Sequence, residues 1–259
     1  MESFFRTYGD DLQSPMAAAV VIPTTLRPSL KQAVESVFAQ AFSGSIQILI
    51  GIDRFAGDVA IIDQLCTSRP SHCAVQVLWP GYSTSIRNGG LALSGDGGAL
   101  RAVLSYLANS AHVAYLDDDN WWATTHLSQL RRATEQADWA FSLRWYVHPA
   151  TRRPICVDIW ESVGPGKGLF NGNFGGFVDP SSLMINKLAC AFAPQYWNFP
   201  LEGDPMSADR SVFAYLATHH KACGTGQPTS FYALNPNDML HNPRVQLMGA
   251  AYDEAGVAM

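Results

Sequence analysis

Between residues 17 and 80 the chain carries three short apolar runs, "AAAVVIP" (17–23), "SIQILIGID" (45–53) and "AVQVLWP" (74–80), separated by segments of helical character. A strand that is apolar at every position, rather than at alternate ones, is buried on both faces. In "PSLKQAVESVFAQAF" the residues Leu30, Val34, Val37, Phe38 and Ala41 recur at helical spacing, Pro28 suits a first helical position and Gly44 stops the helix. "DVAIIDQLC" supplies a second helix, and Pro23 and Pro80 close their strands. The order strand, helix, strand, helix, strand predicts parallel pairing with right-handed crossovers, and ligands in such sheets bind outside the carboxyl ends of the strands.

"HVAYLDDDNWW" (112–122) sets an apolar run against Asp117, Asp118 and Asp119. Three adjacent carboxylates repel one another, and withdrawing them from water without partners is costly, so a positive charge is expected there. Carboxylates are hard oxygen donors and suit Mg²⁺ or Mn²⁺ better than zinc. Strand alternation would point Asp117 and Asp119 one way and Asp118 the other unless the chain turns. Asp53 also falls at a strand end. Ahead of the acidic run, "SGDGG" reads as a loop and "ALRAVLSYLAN" as a helix; beyond it, "TTHLSQLRRATEQA" reads as a helix capped by Thr124 or Thr125. "DWAFSLRWYV" and "PICVDIW" read as an antiparallel addition, and residues 164–176 as a glycine-rich flexible loop.

The formal net charge of -5 and the pI near 5.7 give no basic footprint, which argues against nucleic acid and for small molecules as partners. No apolar run is long enough to span a bilayer and "MESFFRTYGDDLQSPM" lacks the features of a signal peptide, so a cytoplasmic location is expected. Cys66, Cys73, Cys156, Cys190 and Cys223 are odd in number and scattered, and read as buried thiols. With 259 residues, one catalytic unit is expected, its halves at about 15–122 and 123–259.

Taken in order, "VVIPTTLRPSLKQAVESV", "ILIGID", "SIRNGG" and "YLDDDN" resemble the nucleotide-binding half of family 2 glycosyltransferases of the GT-A fold. The resemblance covers the first half of the chain well and the remainder loosely. It implies an α/β fold of the GT-A nucleotide-diphospho-sugar transferase type, a mostly parallel central sheet flanked by helices with a smaller antiparallel addition. It further implies that Pro23 and Thr24 border the nucleotide base, that Asp53 accepts a hydrogen bond from it, and that Asp118 touches the ribose. Asp119 would ligate Mn²⁺ or Mg²⁺, with Asp117 supporting either role. Arg87 would reach the diphosphate or order the acidic cluster. A turn-forming Asp53 and a surface ion pair for Arg87 are the plainer readings.

"MSADRSVFAYLATHH" (206–220) reads as a helix capped by Ser207 or Asp209 and resembles the family's helix that begins with the catalytic base. Asp209 is the chosen base, with Glu202 and Asp204 as rivals and a simple helix cap as the plain reading. "NPNDMLHNPRVQ" places His241 and Arg244 in a proline-bounded loop, where some family members put a histidine on the metal and a cation on the diphosphate. "GGFVDPSSLMINK" resembles the segment beside the transferred sugar, with Asp179 as a structural residue and Asn173 as a turn residue the plainer readings. Trp121, Trp122 and Trp197 offer faces for a sugar ring, or fill the core.

The expected activity is inverting transfer of a sugar from a UDP- or GDP-sugar to a hydroxyl of a carbohydrate, lipid-linked or small-molecule acceptor, by single displacement. The oligomeric state, including a homo-oligomer, is open. A sugar-nucleotide nucleotidyltransferase is the nearest rival, but "IPTTLRP" stands where its glycine-rich basic loop would be. A non-catalytic nucleotide- or sugar-binding module is the rival from another class.

Overall fold

The computed structural model describes residues 2–9 and 13–257. The strands are β1 (Phe4–Tyr8), β2 (Ala18–Thr24), β3 (Ile46–Ile52), β4 (Cys73–Trp79), β5 (His112–Tyr115), β6 (Trp121–Trp122), β7 (Trp139–Val147), β8 (Pro154–Val157), β9 (Gly164–Pro165), β10 (Gly176–Phe177), β11 (Leu183–Asn186) and β12 (Ala222–Ala233). The helices are α1 (Leu30–Phe38), α2 (Ala60–Thr67), α3 (Gly98–Leu107), α4 (His126–Ala133), α5 (Asn171–Phe174), α6 (Ala208–His219), α7 (His241–Met248) and α8 (Ala250–Gly256).

One sheet runs β1-β4-β3-β2-β5-β11-β7-β12-β6, with β8 on β7, and β9 and β10 form a separate ribbon. As predicted, β4, β3, β2 and β5 are parallel neighbours. β11 then runs antiparallel to β5 and to β7. The continuous apolar runs are explained by two cores. Val20 and Ile22 of β2 face a core shared with Leu30, Val34 and Val37 of α1, whereas Ala19 and Val21 face one shared with Leu104 of α3 and with Trp197, Val212 and Phe213. Each face of the sheet is therefore covered.

Several segments differ from the sequence reading. β12 is a long strand whose parallel pairing with β7 shifts register between Gly224 and Ser230; glycine and Pro228 inside it mask the strand pattern. The 164–176 loop folds into the β9–β10 ribbon around α5. His241 and Arg244 lie on a helix, not in a loop, because Pro243 falls in the first turn of α7, where a missing N–H leaves no helical bond unmade. All five cysteines are free, and Cys66, Cys156 and Cys223 are only half-buried.

The second half is tied together by a buried charge network. Arg144 of β7 donates to Asp158 at 2.8 Å, Glu161 at 2.7 Å and Asp179 at 2.6 Å, with its guanidinium 4.0 Å over the Tyr232 ring. Asp158 also accepts backbone N–H bonds from Trp160, Glu161 and Ser162, and its carboxyl is held below the ordinary value by Arg144 and these bonds, against the effect of burial. Removing one partner of a buried ion cluster strands the others. Arg144→Met is therefore expected to cost about 3–5 kcal/mol of stability, measured by urea denaturation; an unchanged midpoint would contradict the assignment.

Candidate functional site

The acidic run leaves the sheet where the parallel strands give way to antiparallel ones. Leu116 still donates to Val21 at 3.0 Å, and then the chain turns, with Asn120 N–H donating to the Asp117 carbonyl at 3.1 Å. Ser181, from the segment before β11, clamps the turn: its hydroxyl accepts from Asp117 N–H at 3.1 Å and from Asn120 Nδ2 at 2.9 Å. Its carbonyl accepts from Trp122 Nε1 at 2.7 Å, and Asn120 Oδ1 accepts from Ala233 N–H at 3.0 Å.

Because of the turn the carboxylates do not alternate: Asp118 and Asp119 share Arg27, and Asp117 meets Arg101. Asp117 accepts from Arg101 Nη2 at 2.5 Å. Asp118, 2 % exposed, accepts from the Thr24 hydroxyl at 2.6 Å and pairs with Arg27. Asp119 accepts from Arg27 Nη1 at 3.1 Å and stays 38 % exposed. The positive charge expected on electrostatic grounds is thus supplied by two arginines that sequence reasoning missed. Neither has a local signal: Arg27 arrives from the end of β2, and Arg101 from the buried face of α3. Burial, with Asp117 and Asp118, pushes the Asp119 carboxyl up to about 6 against the opposing charge of Arg27.

Thr24 and Asp53 are engaged in holding the protein itself. The Thr24 hydroxyl accepts from Leu26 N–H at 2.8 Å while donating to Asp118, fixing Leu26 at φ 64°. Asp53 accepts from Ser83 Oγ at 2.7 Å, Thr84 N–H at 2.8 Å and Thr84 Oγ1 at 2.7 Å. These bonds take most of its acceptor capacity, so the structure uses it to order the 83–95 loop. Pro23 is buried under the turn into α3, where Gly97 at φ 79° brings its Cβ position 3.0 Å from the proline Cβ. Arg87 does not order the acidic cluster; it is exposed and reaches Met206 Sδ at 2.8 Å, while Gly95 N–H donates to the Pro205 carbonyl at 2.7 Å. With no carboxylate paired to it among the described residues, Arg87 joins the two loops through Met206.

Asp209 is the second residue of α6, half-buried, and accepts from Arg210 N–H at 2.7 Å. Burial and the charge of Asp96 push its carboxyl up to about 7, opposed by Arg210. Its rivals are differently placed: Asp204 accepts from Arg210 Nη1 at 3.1 Å and from Met206 N–H at 3.0 Å, and Glu202 is exposed. Arg101 pairs with Asp117 and Asp96, and the segment leading into α6 is tied to the neighbouring 83–95 loop by the Gly95–Pro205 bond. Asp179 caps the 180–182 turn through Ser181 N–H at 2.9 Å and pairs with Arg144, a structural role; Asn173 lies in α5.

Two late residues do not join this cluster. Arg244 is buried, donating to Glu161 at 2.9 Å and Asp238 at 2.6 Å, so its charge is already matched. His241 packs edge-on to Tyr252, with Nε2 3.4 Å from its hydroxyl. Among the described residues no group of three or more histidine, cysteine or acidic side chains converges as a metal site, so Asp117, Asp119 and His241 do not form the expected ligand set. The donors present fit a different coordination: Asp119 offers one accessible hard carboxylate, suited to an octahedral cation that takes its other ligands from phosphate and water. Trp122 and Trp197 are core residues, and Trp121 is sandwiched between Phe231, stacked at 5.4 Å, and Arg152 at 4.3 Å.

No family model matches the sequence, and no curated protein matches it. Solved structures share its fold. S. aureus TarS 1-349 in complex with UDP-GlcNAc superposes with a TM-score of 0.60 at 12% identity, over 94% of this chain and 68% of that one. The mannosyltransferase PcManGT from Pyrobaculum calidifontis, in complex with GDP-Man and Mn²⁺, gives 0.56 at 11% identity over 91% of this chain and 61% of that one. Against the longer S. aureus TarS structure the TM-score is 0.59 at 12% identity, and the chain spans only 39% of its length. The mixed α/β architecture, with its mostly parallel central sheet flanked by helices, is therefore one these proteins share.

The role of Asp53 is directly testable. Asp53→Ala removes the acceptor of three hydrogen bonds and should release the 83–95 loop, raising its hydrogen exchange and protease cleavage while the sheet core stays protected. Unchanged loop protection would show that Asp53 does not hold it.

Proposed function

We infer that the protein is a metal-dependent glycosyltransferase that moves a sugar from a UDP- or GDP-sugar to an acceptor hydroxyl with inversion. The observation that carries this reading is the acidic turn at the carboxyl end of β5, fixed by Arg27 and Arg101, beside a loop whose Gly95–Pro205 bond ties it to the segment leading into α6 and Asp209. The neighbouring complexes with UDP-GlcNAc and with GDP-Man and Mn²⁺ support a nucleotide-sugar donor. Residues of about 15–122 would hold the donor and those of about 123–259 the acceptor.

In this mechanism Asp209 removes the proton from the acceptor hydroxyl as that oxygen attacks the anomeric carbon from the face opposite the leaving diphosphate. A carboxyl raised to about 7 is a stronger base than an ordinary aspartate and is still largely ionised just above neutrality. Pro23 and the 83–95 loop held by Asp53 would border the base, Asp118 would meet the ribose, and Arg87, exposed within that loop, would reach the diphosphate. Asp119 would hold Mn²⁺ or Mg²⁺, which when bound neutralises charge developing on the diphosphate. Asp117, fixed by Arg101, keeps the turn in place.

Asp209→Asn is expected to lower transfer by about 10²–10⁴-fold while leaving nucleotide binding intact. A rate within twofold of wild type would remove Asp209 from the chemistry. The base must be ionised, so kcat/KM should rise as pH increases through about 7 and level off above it, a dependence lost in the variant. In a thermal-shift series, UDP or GDP with Mn²⁺ should raise Tm and chelator should reverse the gain. Stabilisation by nucleotide that ignores both Mn²⁺ and chelator would remove the metal from the mechanism.

A further inference from the structure

We propose that Arg27 is the resident counter-ion of the acidic turn and gives up Asp119 to a divalent cation when the nucleoside diphosphate arrives, so that metal and nucleotide bind synergistically. The inference rests on the donor-site reading above and deepens it. Arg27 straddles two carboxylates of different standing. Asp118 is buried and keeps a second partner in Thr24 at 2.6 Å. Asp119 is 38 % exposed, and Arg27 at 3.1 Å is the one side chain among the described residues that donates to it.

The arginine is built to move at its tip but not at its root. Its backbone follows Leu26, which is fixed in the left-handed region by the Thr24 hydroxyl, whereas its side chain is 49 % exposed. Release of the guanidinium into the cleft therefore costs little desolvation. By contrast, Arg101 and Arg144 are buried with two or three fixed acceptors each and are poorly placed to let go.

Charge arithmetic sets the sequence of events. A divalent cation on Asp119 and a guanidinium on the same carboxylate repel each other strongly. Without nucleotide, the ion would gain one protein carboxylate and displace a satisfied arginine. With a diphosphate present, the ion gains phosphate ligands, and the freed Arg27 gains phosphate oxygens that match its planar fork. Each ligand then favours the state the other needs, and the coupling is reciprocal.

The test is Mn²⁺ affinity, followed by the paramagnetic resonance signal of free Mn²⁺ or by calorimetry, for the full chain with and without UDP or GDP. Wild type should bind Mn²⁺ weakly alone and more tightly with nucleotide. Arg27→Gln should bind Mn²⁺ alone roughly tenfold more tightly than wild type and lose most of the nucleotide-dependent gain, because the competing charge is gone. Arg27→Lys keeps the charge but cannot bridge both carboxylates, and should fall between the two. It carries the comparison if the glutamine variant does not fold. Variants that bind Mn²⁺ no more tightly than wild type, with the nucleotide effect intact, would overturn the role of Arg27 and leave the donor site standing. Absence of Mn²⁺ binding to wild type even with nucleotide would instead remove the metal reading and this inference with it.

Discussion

Carboxylates gathered at the carboxyl edge of the sheet must be matched by cations, and the rest of the structure depends on how that is done. Two like charges 4 Å apart repel by about 4 kcal/mol at an effective dielectric near 20, a large share of the roughly 5–15 kcal/mol that holds a domain folded. The chain answers with arginines from separate elements: Arg27 after β2, Arg101 on α3, Arg144 on β7 and Arg244 on α7. The Arg27–Asp118 and Arg244–Glu161 pairings join segments far apart in sequence, and the Arg101 and Arg144 pairings join neighbouring elements. Charge compensation therefore orders each half of the sheet from within: Arg27 and Arg101 in the first, Arg144 and Arg244 in the second.

β5 is the joint. It is parallel to β2 and antiparallel to β11, and the acidic turn leaves it at that change of direction. The strands on either side of β5 run in opposite senses, so the chain that leaves it turns between neighbours of different direction. Ser181 closes the joint by bonding both the first and last residues of the turn, so a residue of the second half sets the direction of side chains from the first. The glycines of the 94–98 loop serve the same end. A Cβ on Gly98 would lie 1.9 Å from the Trp197 carbonyl, so only glycine lets α3 start close enough for Arg101 to reach Asp117.

This division explains what was legible in the sequence. The β2–α1–β3–α2–β4 order could be read because burial on both faces leaves a continuous apolar signal, and the acidic turn because its charge stands out beside an apolar strand. Both are local patterns. The partners of Asp117, Asp118 and Asp119 were hidden because an arginine's sequence neighbourhood does not tell which carboxylate it meets. Arg244 shows the same limit: in sequence it looks available for a phosphate, and in the fold Glu161 and Asp238 occupy it. β12 was obscured by the glycines and Pro228 that accommodate its irregular register.

Asp209 is where two plain readings can be separated by sign. A carboxylate in the first turn of a helix is stabilised in its ionised form by about 0.3–1 kcal/mol, which would hold a simple cap below its ordinary value. Here the carboxyl moves the other way, up to about 7. Burial and Asp96 outweigh the helix and Arg210. Nor does the side chain reach across to cap Ala208 or Ser207; it accepts only from the N–H of the next residue. The direction of the shift is opposite to that of a simple helix cap, and it is the direction the proposed base requires.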